Sequence, residues 1–308
     1  HYPLGRHDRP FLAVLHDLRP LEEASARGSW PSLREMAWDW LAVKSVRECC
    51  RRAERIVCVS DHTRNHLVRF AGPGVERKCT TVYHGIDPDP WRSPVNEDAL
   101  RTVLERYGLQ NSRPYGLGIG QHVPHKNFVN LVQAFGRHVT PQFGQAHLVI
   151  AGGHNSDTQR IEQRTAEMGL EGRIHLLGFV PEEDLVCLMK AAHFFVFPSL
   201  FEGFGLPVLE AFAAGVPVVC SRTTSLGEIS RGAALQVNPE DVDEIGTAMA
   251  RMIRNDALRE HCIARGKETA ARRSWQSCAD DYLDILQSIL PQASPAARGG
   301  SGTSQRLH

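Results

Sequence analysis

The chain has 308 residues, and its 35 Lys and Arg residues balance its 35 Asp and Glu residues. This neutrality excludes a global field that attracts nucleic acid or acidic lipid, so any anion needs a local site. No apolar run approaches the roughly 18–20 residues that span a bilayer, which excludes a transmembrane helix. The eight cysteines show no C-x-x-C spacing, and we expect free, mostly buried thiols in a reducing cytoplasm.

The first third of the chain alternates short apolar runs with helical patterns. Strands are predicted at 11–17, 55–60 and 79–85, and a helix is predicted at 32–53. Ser60 can cap a further helix that begins directly after it. A Gly/Pro-rich stretch near 86–113 is typical of a domain linker. We therefore predict a partial N-terminal domain with its linker over 1–108.

The remainder of the chain alternates strands and helices more regularly. Strands are predicted at 115–120, 147–152, 173–178, 193–199, 216–221 and 233–237. Helices are predicted at 127–139, 157–169, 181–192, 207–215, 241–255, 257–273 and 274–290. This alternation predicts an α/β fold with a mostly parallel sheet over 109–274, followed by a last helix at 275–290. The Pro/Ala/Gly/Ser-rich tail at 291–308 is predicted to be disordered.

The strongest functional signal is the segment PSLFEGFGLPVLEAFAAGVPVV at 198–219. A strand is followed by a tight turn with Gly203 and Gly205, and Pro207 suits the first position of a helix. Gly215 suits the C-terminal cap of that helix. A glycine-rich turn that opens a helix exposes unpaired backbone N–H groups at the positive end of a dipole, which suits a diphosphate.

Two acids flank this turn, Glu202 before it and Glu210 in the first turn of the helix. A carboxylate repels a phosphate, so these groups are better suited to accept hydrogen bonds from sugar hydroxyls. The alternative interpretation makes Glu210 a residue that stabilises the helix dipole and Glu202 a solvated loop acid.

The segment FEGFGLPVLE resembles the signature of family-4-type retaining glycosyltransferases of the GT-B fold, also called glycosyl transferases group 1. The resemblance implies two Rossmann-like, doubly wound parallel-sheet domains with a cleft between them. It implies that Glu210 holds the donor ribose and that Glu202 contacts the transferred sugar. It further implies that backbone groups line the sugar and the diphosphate at Gly203, Phe204, Gly205 and Leu206.

A second segment of the same family is similar to GIGQHVPHKNFVNLVQAF at 118–135. Lys126 in its turn can reach a phosphate as a point charge. The family usually has Arg-Lys here, whereas this chain has His125 and Lys126, as do some bacterial mannosyltransferases. His125 would donate when protonated or act sterically. The alternative is that Lys126 is an exposed surface lysine.

Weaker similarities extend the resemblance to about residues 11–290. His16 ends the first strand, where the family has a histidine that faces the donor sugar; the alternative is a structural histidine. Val180, in GFVPEEDL, resembles the segment whose backbone meets the nucleotide base. His62 and His66 have a spacing that zinc can use, but no third ligand is obvious, and we predict no metal and no cofactor.

First domains of this family begin with a strand and a glycine-rich loop that faces the acceptor. Nothing before His16 supplies these elements. We therefore expect that the first domain is incomplete and that the chain is a fragment of a longer protein.

The predicted function is retaining, metal-independent transfer of a hexose from a nucleotide-diphosphate sugar to a glycan or lipid-linked acceptor. The His-Lys-Asn variant favours GDP-mannose as donor. The protein would be cytoplasmic, held at the inner face of a membrane through its acceptor, and would not bind nucleic acid. The alternatives are a catalytically inactive GT-B binding protein and a nucleotide-sugar epimerase or phosphorylase of the same fold. A dinucleotide-dependent oxidoreductase lacks the required G-x-G-x-x-G after a first strand.

Overall fold

The structure is a computed structural model that describes residues 11–19 and 33–290. Within these residues the chain forms two parallel β-sheets, each covered by helices. The predicted α/β class is therefore confirmed. The tail at 291–308, predicted to be disordered, lies outside the described residues.

The first sheet has the strand order β1-β2-β3, and both strand pairs are parallel. Its elements are β1 (Leu12–Leu15), α1 (Leu33–Arg52), β2 (Arg55–Cys58), α2 (Asp61–Ala71), a 3₁₀ turn (Pro73–Lys78) and β3 (Cys79–Thr81). Ser60 caps α2 as predicted, since its Oγ accepts a hydrogen bond from Thr63 N at 3.1 Å. Ile56 and Leu67 are fully buried between this sheet and its helices.

Two helices that the sequence did not predict follow the first sheet, within the stretch at 86–113. They are α3 (Asp89–Arg92) and α4 (Glu97–Arg106). Leu104 of α4 is buried in the core of the second sheet, and Arg106 Nη1 donates to Asp184 Oδ1 at 2.7 Å. Prolines obscured these helices in the sequence, although proline is tolerated in the first turn, where Pro90 lies.

The second sheet has six parallel strands in the order β6-β5-β4-β7-β8-β9. The strands are β4 (Tyr115–Ile119), β5 (His147–Ala151), β6 (Ile174–Gly178), β7 (Phe194–Phe197), β8 (Val218–Ser221) and β9 (Leu235–Val237). The direction of winding reverses between β4 and β7. In doubly wound sheets, ligands bind outside the carboxyl ends of the strands at such a switch point.

Helices cover both faces of the second sheet. They are α5 (Phe128–Ala134, continued by a π-helical turn, Phe135–Val139), α6 (Thr158–Glu167), α7 (Glu182–Ala191), α8 (Leu206–Ala214), α9 (Thr224–Ile229), α10 (Val242–Arg254) and α11 (Asp256–Ala271). Phe194 and Phe195 are fully buried in two different cores, because successive strand residues point to opposite faces. The second sheet is thus a closed three-layer unit.

The last helix, α12 (Trp275–Ile289), returns to the first sheet. Its Cys278 is buried against Val57 and Val82, with Tyr282 and Ile285 packed beside it. All eight cysteines are free thiols and six of them are buried, as the sequence predicted. Across the described ranges no helix combines the length and apolar character that crossing a bilayer requires.

Candidate active site

The segments that follow β4 and β7 lie side by side, because those strands are neighbours at the switch point. The 3₁₀ turn Pro124–Lys126 follows β4. Its His125 carbonyl accepts a hydrogen bond from Leu200 N at 2.8 Å, and Asn127 Nδ2 donates to Pro198 O at 3.0 Å. These bonds join segments that are about 70 residues apart in sequence and hold them in one arrangement.

Lys126 and Glu202 form an ion pair at this junction, with 2.6 Å between Nζ and Oε1. Their side chains are only 17% and 15% exposed, and Lys126 Nζ lies 4.8 Å from the centre of the Phe197 ring. The interpretations of an exposed surface lysine and a solvated loop acid are therefore wrong. The structure brings both predicted residues to the carboxyl edge of the sheet.

The glycine-rich turn ends at Gly205, which is the N-cap of α8 and has φ 115° and ψ 49°. This conformation favours glycine, and a Cβ there would lie 2.5 Å from Leu226 Cδ2. Ser225 Oγ donates to Phe204 O at 2.7 Å and fixes the turn from behind. Gly205 has no side chain with which to cap the first amides of α8, so an anion can take that place.

The positions of Gly215, Pro207 and Glu210 in α8 were predicted with different accuracy. Gly215 is the C-cap of α8, as predicted. Pro207 is the second residue of α8 rather than the first, because the helix already begins at Leu206. For the same reason Glu210 is the fifth residue of α8, one residue later than predicted and just past the first turn. The first turn of α8 contains no acid, which argues against the dipole interpretation of Glu210.

Burial raises the pKa of Glu210 to about 7, and the nearby Glu182 carboxylate adds to the rise. Among the described residues, no hydrogen bond or ion pair satisfies its carboxyl group. A half-buried acid with a raised pKa and no partner is unfavourable for folding and is typical of a binding site. Its ribose-binding role stays a prediction.

The first sheet supplies the opposite wall of the site. A Cβ on Gly203 would lie 2.0 Å from the carbonyl oxygen of His16, so only glycine permits this approach. The His16 ring stacks on His84 with 5.5 Å between centroids, and His84 meets Phe204 edge-on at 5.1 Å. The structure therefore places His16 against the glycine-rich turn, together with His84, which the sequence did not single out.

His125 contacts an arginine from the first sheet. Arg19 Nη1 lies 2.9 Å from His125 Nδ1. Burial, then the charges of Arg19 and Lys126, lower the pKa of His125 to about 4. The imidazole is therefore neutral at neutral pH, which argues against the predicted option that protonated His125 donates to a phosphate. Arg19 lies in LHDLRPL, and no motif marked it.

Val180 follows β6 and lies between Phe179, which is 82% exposed, and Pro181. Its side chain is buried in the same core as Phe204. Only its backbone is therefore accessible to a ligand, and its contact with a nucleotide base stays a prediction.

Glu228, on α9 behind the glycine-rich turn, joins the two units. Its Oε1 accepts from Asp61 N at 2.9 Å and its Oε2 from His62 N at 3.0 Å, at the N-terminus of α2. Sequence reasoning did not single out Glu228. Within the described ranges, no cluster of three metal-ligating side chains includes His62 and His66.

The fold is similar to that of HepE from Anabaena, solved in complex with UDP and glucose. The TM-score is 0.76 at 19% identity, and the match covers 91% of this chain and 72% of that chain. The glycosyltransferase WaaG has a TM-score of 0.75 at 15% identity, with 91% of this chain and 76% of that chain covered. These similarities confirm the predicted GT-B fold.

Two sequence relatives carry the name mannosyltransferase. The chain is 37% identical over 245 residues to O-antigen chain mannosyltransferase B of Escherichia coli, covering 79% of this chain and 63% of that protein. It is 26% identical over 304 residues to serotype-specific mannosyltransferase WbdA of Escherichia coli, covering 96% of this chain and 36% of that protein. The chain thus spans less than two thirds of each of these relatives.

Two family profiles match the chain. Residues 1–90 match the profile described as Glycosyltransferase Family 4, and residues 102–269 match the one described as Glycosyl transferases group 1. The second match covers more than half of the 308 residues and contains the Lys126 turn, the glycine-rich turn and Glu210. The chain therefore belongs to the glycosyl transferases group 1 family.

Proposed function

We propose that the protein transfers a hexose from a nucleotide-diphosphate sugar to a glycan or lipid-linked acceptor, with retention and without a metal. The observation that carries this proposal is the largely buried Lys126–Glu202 pair beside the uncapped start of α8, with the His16 carbonyl close to Gly203 of the same turn. A cation and backbone amides suit a diphosphate, whereas an acid and a histidine suit sugar hydroxyls.

In the proposed reaction, the bond between the anomeric carbon and the phosphate oxygen breaks, and the acceptor oxygen bonds to the same face of that carbon. The acceptor proton moves to the departing phosphate oxygen. Negative charge grows on the diphosphate, where Lys126 and the amides at the start of α8 stabilise it. Positive charge grows on the sugar ring, where Glu202 offsets it and, with His16, orients the hydroxyls.

The Lys126–Glu202 pair also explains how the site can exist before the donor binds. Each group satisfies the other at 2.6 Å, so neither is left as an isolated buried charge. On binding, Lys126 would turn to the diphosphate and Glu202 to the sugar. Exclusion of water between the two walls would then protect the donor from hydrolysis.

Two similarities favour mannose as the transferred sugar. Two Escherichia coli relatives are named mannosyltransferases, and their alignments cover 79% and 96% of this chain. We therefore propose GDP-mannose as the donor. A thermal-shift panel of GDP-, UDP- and ADP-sugars tests this, because a ligand at 100 times its Kd stabilises by about 2.7 kcal/mol. A shift with UDP- or ADP-sugars alone would contradict the choice of base.

Analysis of products from a labelled donor tests the reaction itself. Retention predicts an α-linked product from an α-linked donor, measured by NMR. Transfer in excess EDTA should equal transfer without it, whereas a loss that Mg²⁺ restores would contradict metal independence. Epimerised donor or phosphorolysis would favour the related activities of the fold, and donor binding without any reaction would favour an inactive binding protein.

A further inference from the structure

The charge balance beside the glycine-rich turn is incomplete for a diphosphate. Lys126 is paired with Glu202 at 2.6 Å, so these two side chains together carry no net charge. His125 is neutral at neutral pH, because burial and two neighbouring cations lower its pKa to about 4. Apart from the charge that Lys126 shares with Glu202, the turn Pro124–Lys126 therefore offers no further cation to a multiply charged leaving group.

A guanidinium from the other wall lies directly against this turn. Arg19 Nη1 is 2.9 Å from His125 Nδ1, although the two residues are 106 positions apart. The backbone amide of Arg19 donates to Asp17 Oδ1 at 3.1 Å, which shapes the turn that presents the side chain. A Cβ on Gly203 would lie 3.0 Å from Asp17 Cβ, so this turn also borders the glycine-rich segment.

We propose that Arg19 binds the diphosphate of the donor from the first-sheet wall, beside Lys126. This inference rests on the proposed function. A guanidinium has five N–H donors in a rigid fork, so it can donate to His125 and to a phosphate oxygen at once. The neutral His125 accepts through Nδ1 and thereby orients the fork, which a protonated imidazole would repel.

This arrangement makes diphosphate binding depend on both walls of the cleft. Lys126 and the start of α8 belong to the second sheet, whereas Arg19 follows β1 of the first sheet. A nucleoside diphosphate should therefore gain from Arg19 an interaction that a nucleoside monophosphate lacks. If removal of Arg19 weakens binding of the diphosphate more than binding of the monophosphate, Arg19 binds phosphate and is not purely structural.

The test is calorimetry with GDP and GMP, with UDP and UMP as a second pair. We expect Arg19→Gln to weaken GDP binding by about 10- to 100-fold, the usual effect of losing a charged hydrogen bond, and GMP binding by less than about twofold. His125→Arg in the Arg19→Gln background should restore most of the GDP affinity, because it returns a guanidinium to the same place. Arg265→Gln, which removes an arginine from α11, is the matched control and should change neither ligand.

Each negative result of the calorimetry has a different interpretation. If the wild type binds neither GDP nor UDP, the proposed function fails and the role of Arg19 fails with it. If the wild type binds GDP and Arg19→Gln binds it equally well, only the role of Arg19 is overturned. Equal losses for GDP and GMP that His125→Arg does not restore would make Arg19 a structural residue and would also overturn the proposal.

Discussion

The two walls of the cleft are built in different ways. Hydrogen bonds hold the second-sheet wall together. Leu200 N donates to the His125 carbonyl, Asn127 donates to Pro198 O, and Ser225 donates to Phe204 O of the glycine-rich turn. The first-sheet wall reaches the site through a short segment after β1, with ring contacts, a close approach of His16 to Gly203 and the contact of Arg19 with His125. The turn that carries Lys126 is thus fixed within one unit, whereas Arg19 and the sugar-facing side depend on how the two units dock.

The largest effect should come from the fixed wall. Lys126→Ala removes the cation that would stabilise the leaving diphosphate, and we expect kcat/KM to fall by about 100- to 1000-fold. Steady-state transfer kinetics measure this. Lys267→Ala on α11 is the control and should behave as wild type. A Lys126→Ala variant with wild-type rates would remove this residue from the mechanism.

The next effect tests the contact between the walls. Gly203→Ala places a methyl group 2.0 Å from the His16 carbonyl oxygen, so the walls must separate. A misplacement of about 1 Å can cost 100-fold in rate, and we expect a loss of kcat of that order. A Cβ on Gly144 meets no atom within 4 Å, so Gly144→Ala is the matched control. Normal turnover by Gly203→Ala would mean that the walls do not need this approach.

Docking through Glu228 should matter less. Glu228 accepts hydrogen bonds from two backbone amides of α2, and a charged hydrogen bond contributes about 1.5–3 kcal/mol. We therefore expect Glu228→Ala to lower kcat/KM about tenfold and to raise the radius of gyration in small-angle scattering. Glu268→Ala, which removes a surface acid of α11, should do neither. An unchanged scattering curve and rate would show that Glu228 does not control docking.

Glu210 should give a smaller effect, seen as a pH dependence. Burial and Glu182 raise its pKa to about 7, so it is largely protonated at pH 6 and ionised at pH 8. An ionised carboxylate accepts from both ribose hydroxyls, so we expect wild-type affinity for GDP to rise about fivefold over this range. Glu210→Gln should abolish the rise in calorimetry. A variant that keeps the wild-type pH profile would assign the titration to another group.

The raised pKa of Glu210 also lowers the stability of the ligand-free protein at high pH. Because the pKa of Glu210 is raised on folding, its contribution to stability is present below about pH 4.5 and is lost as pH rises through about 7. At pH 8 we expect Glu210→Gln to be more stable than wild type by about 1–3 kcal/mol in chemical denaturation. At pH 4.5 the two should match. A variant that is less stable at pH 8 would indicate a stabilising partner for Glu210.

Prediction from the sequence worked best where local rules decide the structure. Apolar runs and helical periodicity located every strand of the second sheet to within about two residues, and Ser60 and Gly215 marked a helix start and a helix end. The missed helices, α3 and α4, are short and proline-flanked, and α4 is stabilised by packing against α7 rather than by a strong local pattern. Burial against a distant element has no local signature.

The sequence by itself determined the elements, the glycine-rich turn and the residue types at the site, because backbone conformation and periodicity depend on near neighbours. The tertiary structure alone decided that β4 lies beside β7, which brings Lys126 within 2.6 Å of Glu202 across 76 residues. It also decided that Arg19 meets His125 and that Glu210 is half-buried with no hydrogen-bond or ion-pair partner among the described residues. Such contacts depend on strand order and docking, which are set by the packing of the whole core.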